Sequence, residues 1–162
     1  MGTALVALEG ILRTEVGDPI PEGIKLYRVL AEHYRVVILC DESKEKAEHW
    51  LKANLIIGYA DIYDDSIAFE GQDLRARHLA VAKAQGRIEL FVDPDVDRCA
   101  FALANGVATM LFASPKFIRT TREVRPWEDL AAEVDRQRQA ILDSYLGRSE
   151  EHTSELQSRF GI

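Results

Sequence analysis

The stretch TALVALEGIL, residues 3–12, decides how the rest of the chain is read. Thr3 to Leu8 is an almost unbroken apolar run, short and β-branched enough for a strand buried on both faces. It ends on Glu9-Gly10, where a turn begins. Strand ends of open α/β sheets are where ligands and chemistry are placed. The run therefore predicts an active-site strand, yet Ala7 and Leu8 carry no reactive group, and only Glu9 does.

Outward from this stretch, strand and helix patterns alternate. The turn-rich GDPIPEG (17–23) leads into a helix with Ile24, Tyr27, Leu30 and Ala31 on one face. RVVILC (35–40) is a second buried strand. DESKEKAEHWLKAN (41–54) is a helix, capped by Asp41 or Ser43, with Lys44, Glu45 and Glu48 on its wet side. ADIY (60–63) is a third strand, and DLRARHLAVAKAQG (73–86) a helix closed by Gly86. IELFV (88–92), the helix DVDRCAFALANG (95–106) and VATMLF (107–112) follow. A long amphipathic helix starting near Pro126 and running to Leu146 ends the pattern. Five strands alternating with helices predict an α/β fold with a doubly wound, Rossmann-like parallel sheet. Strand one should be central, between strands two and four, with Glu9, Cys40 and Asp93 converging on one edge.

At 162 residues the chain is long enough for one domain with a proper core. The domain is expected to span residues 1–147. Residues 148–162 (RSEEHTSELQSRFGI) lack apolar periodicity, and their start resembles a translated sequencing adapter; they are read as a disordered, artefactual tail. The formal net charge of −7 argues against nonspecific nucleic-acid binding, which needs a basic face. There is no run of the ~18–20 apolar residues a membrane span requires, and no basic leader, so a cytoplasmic location without membrane partners is expected. Cys40 and Cys99 have no metal or redox spacing and read as reduced core residues. His33, His49 and His78 sit at helical positions and read as surface or packing residues.

The strand ends, read together, are Ala7-Leu8-Glu9-Gly10, Cys40-Asp41 and FVDPDVD (91–97), with Arg75 and Arg77 on the helix before strand four. This layout resembles the haloacid dehalogenase-like superfamily of phosphatases, over roughly residues 3–113. It is most similar to small members without a cap domain, such as those of phage genomes and polynucleotide phosphatase domains. The resemblance implies an aspartate nucleophile at position 7, an acid/base at position 9, a phosphate-holding hydroxyl at position 40 and a cation near Arg75 or Arg77. It also implies a Mg²⁺ site from Asp93, Asp97 and the first strand end, including Glu9. The chain departs from this pattern at Ala7, where a methyl group cannot form an acyl-phosphate, and at Glu9 and Cys40. Neither candidate connection has room for a cap, which suits an open site.

Three functional readings follow. The first is a catalytically degenerate binding or regulatory module, taking a phosphorylated ligand or a protein partner. The second is an active Mg²⁺-dependent phosphohydrolase of nucleotides or polynucleotide ends with an altered site. The third, a receiver-like phosphoacceptor using Asp64, ranks last because strand one supplies only Glu9. A cysteine-phosphatase loop at Cys40 is set aside, since its neighbours are acidic and the segment lacks glycine.

Overall fold

The computed structural model describes residues 1–114 and, in the C-terminal region, residues 128, 131–132, 134–136 and 138–147. The expected tail at 148–162 and the helix start at Pro126 lie outside the described residues.

Strands β1 (Thr3–Ala7), β2 (Arg35–Leu39), β3 (Asp61–Tyr63), β4 (Ile88–Asp93) and β5 (Thr109–Leu111) form one sheet in the order β3-β2-β1-β4-β5. Every neighbouring pair is parallel. The fold is thus α/β with a five-stranded parallel sheet, and β1 is central as the alternation predicts. Helices α1 (Pro21–His33), α2 (Lys44–Ala53), α3 (Leu74–Gln85) and α4 (Val96–Ala104) make the crossovers.

The two-residue period of the strands sorts the core into two layers. Val36 and Ile38 of β2 and Val92 of β4 pack with Tyr27 and Leu30 of α1 and with Ala47 and Leu51 of α2. Val37 and Leu39 of β2 and Phe91 of β4 pack on the other side with Leu79 and Ala82 of α3 and Ala102 of α4. Burial on both faces is what made these strands continuous apolar runs.

The β1–α1 connection, residues 8–20, is folded on itself rather than open. Leu12 and Arg13 both donate backbone bonds to the Leu8 carbonyl, and Gly10 N donates to the Arg13 carbonyl. Gly10 has φ 88°, a left-handed conformation that glycine adopts without steric cost. Ile11, Leu12 and Ile20 from this loop are fully buried. The Trp50 indole donates to the Gly17 carbonyl at 2.8 Å and ties the loop tip to α2. Between β2 and α3 lie only α2, β3 and a short 3-10 turn at Asp65–Ile67. Neither connection holds an inserted domain among the described residues.

Of the two cap candidates for α2, Ser43 occupies the N-cap position, without a side-chain bond, and Lys44 N donates to Asp64 at 3.0 Å. Helix α4 is capped by Asp95, which accepts from Asp97 N and Arg98 N. Asp73 caps α3 by accepting from Ala76 N at 3.2 Å.

Candidate functional site

The parallel sheet brings the ends of β1, β2 and β4 side by side, so Glu9, Cys40–Glu42 and Asp93 share the carboxyl edge. In the middle of them lies a group from another element. Arg75, in the first turn of α3, is only 2% exposed. Its guanidinium meets three carboxylates: Nη2 to Glu9 at 3.4 Å, Nη1 to Asp41 at 3.1 Å and Nε to Asp93 at 3.5 Å. Burial of an unpaired guanidinium would be costly, and these three acids from three strand ends compensate it.

A second cation completes the cluster. Arg13, from the folded β1–α1 loop, pairs with Glu9 at 2.9 Å and also with Glu42. Its guanidinium stacks over the Trp50 ring at 5.4 Å. Each oxygen of Glu9 therefore faces a different arginine. The cluster holds four carboxylates (Glu9, Asp41, Glu42, Asp93) and two guanidinium groups.

Asp93 is fully buried. One oxygen accepts from Asp95 N at 2.8 Å, while the other faces Arg75 Nε without a hydrogen bond. Burial pushes its carboxyl up to about 6, against the lowering pull of Arg75 and Arg98. His78, one helical turn after Arg75, is also fully buried. Its Nδ1 lies 3.2 Å from Arg75 Nη1, and its Nε2 lies 2.8 Å from the Asp64 carbonyl. Arginine can only donate and a carbonyl can only accept, so the pair fixes the neutral tautomer with hydrogen on Nε2. Burial holds this imidazole down at about 4, so it stays neutral and braces Arg75. His78 is a packing histidine, as the sequence reading had it, but with two polar partners that helical spacing alone did not show.

The candidate residues fall into place unequally. Glu9, Arg75 and Asp93 meet. Cys40 adjoins them, fully buried, with Sγ 3.2 Å from the Glu42 carbonyl. Burial, reinforced by Glu9, pushes its thiol up to about 12, so it is a protonated donor and no nucleophile at neutral pH. Ala7 ends β1 inside the core, 1% exposed. Arg77 points away: its Nε donates to the Ile67 carbonyl at 3.4 Å, and its guanidinium lies 5.7 Å from the Phe69 ring. Helical spacing explains the split, since residues two apart face different sides.

Asp97 lies beside the cluster, on the rim of a cavity of about 830 Å³ between α3 and α4. Leu79, Phe91 and Phe101 form apolar walls of this cavity, and Asp73, Asp95 and Arg98 line it near the strand ends. Arg98 pairs with Asp73 at 3.0 Å.

The Mg²⁺ ion implied by the family resemblance does not fit these residues. Among the described residues no three His, Cys, Asp or Glu side chains are grouped to hold a metal ion. The space shared by Glu9, Asp41 and Asp93 is taken by the Arg75 guanidinium, a cation built into the chain. A divalent ion there would have to displace a buried positive charge.

Arg13 has no place in the sequence reading, and Asp41 enters it only as the strand-end neighbour of Cys40 and as one of two cap candidates. A Glu-to-Arg spacing of four signals an ion pair on a helix, but residues 9–13 form a loop. The pairing of Asp41 with Arg75 of α3 is a contact that only the folded sheet makes. Comparison with protein families, curated proteins and solved structures finds no match for this chain. Among the described residues no helix is long and apolar enough to cross a membrane.

Proposed function

We propose that the chain is a non-catalytic binding module on a scaffold similar to haloacid dehalogenase-like phosphatases. Position 7, at the end of the central strand, carries a methyl group, and the carboxylates around it are engaged by Arg75 and Arg13 rather than held open. The position of Arg75 carries this reading. An internal guanidinium neutralises the strand-end acids and leaves no coordination space for a metal.

The charge balance bears on what is bound. Four carboxylates against two guanidinium groups leave the strand-end surface negative, which opposes a phosphorylated ligand. A protein partner presenting basic or apolar groups to the α3–α4 rim suits it better.

The test pairs activity with metal binding. The chain is expected to release no phosphate from an aryl phosphate in Mg²⁺ above a Glu9→Gln control. Mg²⁺ should leave its melting temperature unchanged. In Arg75→Ala the three acids lose their internal cation, and Mg²⁺ should then raise the melting temperature, because it binds only the folded form. Turnover above the control would establish the altered-phosphohydrolase reading instead. Mg²⁺ stabilisation of the unmodified chain would remove Arg75 as the resident cation.

A further inference from the structure

The cavity of about 830 Å³ between α3 and α4 owes its space to small side chains. Ala76 and Ala80, four residues apart on α3, line it, with Asp97 and Phe101, likewise four apart, lining it from α4. Two packed helices ordinarily fill such a seam to the density of the core. Here Leu79 and Phe91 wall it, and Phe101, which belongs to neither core layer, is left 45% exposed. The volume falls within the ~300–1,000 Å³ of sites that hold small organic molecules, which are likewise mostly apolar with a few placed polar groups.

The polar groups cluster where the two helices begin. Asp73 caps α3 and Asp95 caps α4. Both oxygens of Asp73 are taken, one by Ala76 N and the other by Arg98, which ties the two helix starts together. Asp95 takes both of its helix bonds through Oδ1, from Asp97 N at 2.9 Å and from Arg98 N at 3.3 Å. Its second oxygen, Oδ2, is left to accept from a ligand. Asp73, Asp95 and Asp97 add three carboxylates to the four of the adjoining strand-end cluster, while Arg98 adds one guanidinium to its two. The two helix N-termini offset only about one further charge. The balance stays negative and selects a cation.

We infer that this cavity holds a small organic cation, with an ammonium group on Asp95 beside Asp97 and an aromatic or aliphatic body between Leu79, Phe91 and Phe101. The inference rests on the reading of the chain as a binding module and names what that module holds. The location agrees with the fold. Helix α3 carries the chain from β3 back past β1 to β4, so the crevice beside it adjoins the point where winding reverses, and open α/β sheets take their ligands there.

Tryptamine is the probe, and indole-3-propionate, the same ring on an anionic arm, is its control. In an NMR titration of the full chain, tryptamine is expected to bind saturably and to shift the amides of residues 73–80 and 95–101. Indole-3-propionate should bind at least about tenfold more weakly, because its charge is repelled. Asp95→Asn keeps a capping side chain and removes the charge. It should weaken tryptamine binding about tenfold at an unchanged melting temperature. Ala80→Trp, at an exposed position, should fill the cavity and abolish binding. Equal binding of the two probes, shifts centred elsewhere, or unchanged affinity in both variants would overturn the inference. So would tryptamine that does not saturate, and a peptide bearing tryptophan and lysine that binds in its place would assign the surface to a protein partner. Failure of the non-catalytic reading is seen separately, as phosphate release from an aryl phosphate.

Discussion

Arg75 is the residue on which the strand-end architecture turns. It is buried among three acids from three different strand ends, so its loss leaves an uncompensated negative cluster. Removing one partner of a buried ion pair costs about 3–5 kcal/mol. Arg75→Met is expected to lose stability of that order in urea unfolding. Arg77→Met, whose cation lies over Phe69 on the outside of the cluster, should lose far less. The two buried titrating groups make a sharper prediction. Asp93 has its folded pKa raised to about 6, so between about 4 and 6 the folded state holds more proton and stability falls as pH rises. His78 has its folded pKa lowered to about 4, so from about 4 to its ordinary value the unfolded state holds more proton and stability rises with pH. The two slopes oppose each other in one window. Asp93→Asn should therefore unmask a rise in stability from pH 4 to 6, measured by denaturant midpoints. An unchanged profile in that variant would show that Asp93 titrates normally.

At the scale of elements, the placement of α1 against the β1–α1 loop depends on a single close approach. A Cβ at Gly23 would collide with the Ile11 carbonyl, so the helix can sit this near only with glycine there. Gly23→Ala should destabilise by about 1–3 kcal/mol, the ordinary cost of overpacking, despite alanine's better helix propensity. A stabilised variant would mean the helix can slide. The same helix is pinned at its middle by the Tyr27 hydroxyl, which donates to the Ile57 carbonyl at 2.7 Å. Tyr27→Phe removes this bond and should cost about 1 kcal/mol in thermal or urea unfolding. Strand existence and type were legible here, because buried parallel strands are apolar on both faces. Ends shifted by a residue or two: β5 is Thr109–Leu111, inside the apolar run 107–112. Such a run records burial, while the strand ends where ladder partners end.

For the whole molecule, both core layers share β2 and β4, since alternate residues of these strands face opposite layers. The sheet domain should therefore unfold in one cooperative transition, followed through Trp50, which packs against the first layer. Val134, Ile141, Leu142, Tyr145 and Leu146 belong to neither layer, so Ile141→Asp should leave this midpoint unchanged. A lowered midpoint in that variant would show that this helix packs on the sheet domain.

The sequence by itself determined the fold class, the strand order and the edge on which Glu9, Cys40 and Asp93 meet. Those follow from periodicity, from the right-handedness of crossovers and from the reversal of winding beside β1, all local or topological rules. Only the tertiary structure decided what fills the space between the acids. Helical spacing left Arg75 and Arg77 as equivalent candidates. The packing of α3 on the sheet sent one guanidinium inward to three carboxylates and the other outward to Phe69. Arg13 and Asp41 entered the cluster for the same reason. Their partners lie on segments distant in sequence, and no periodicity records a contact made through space.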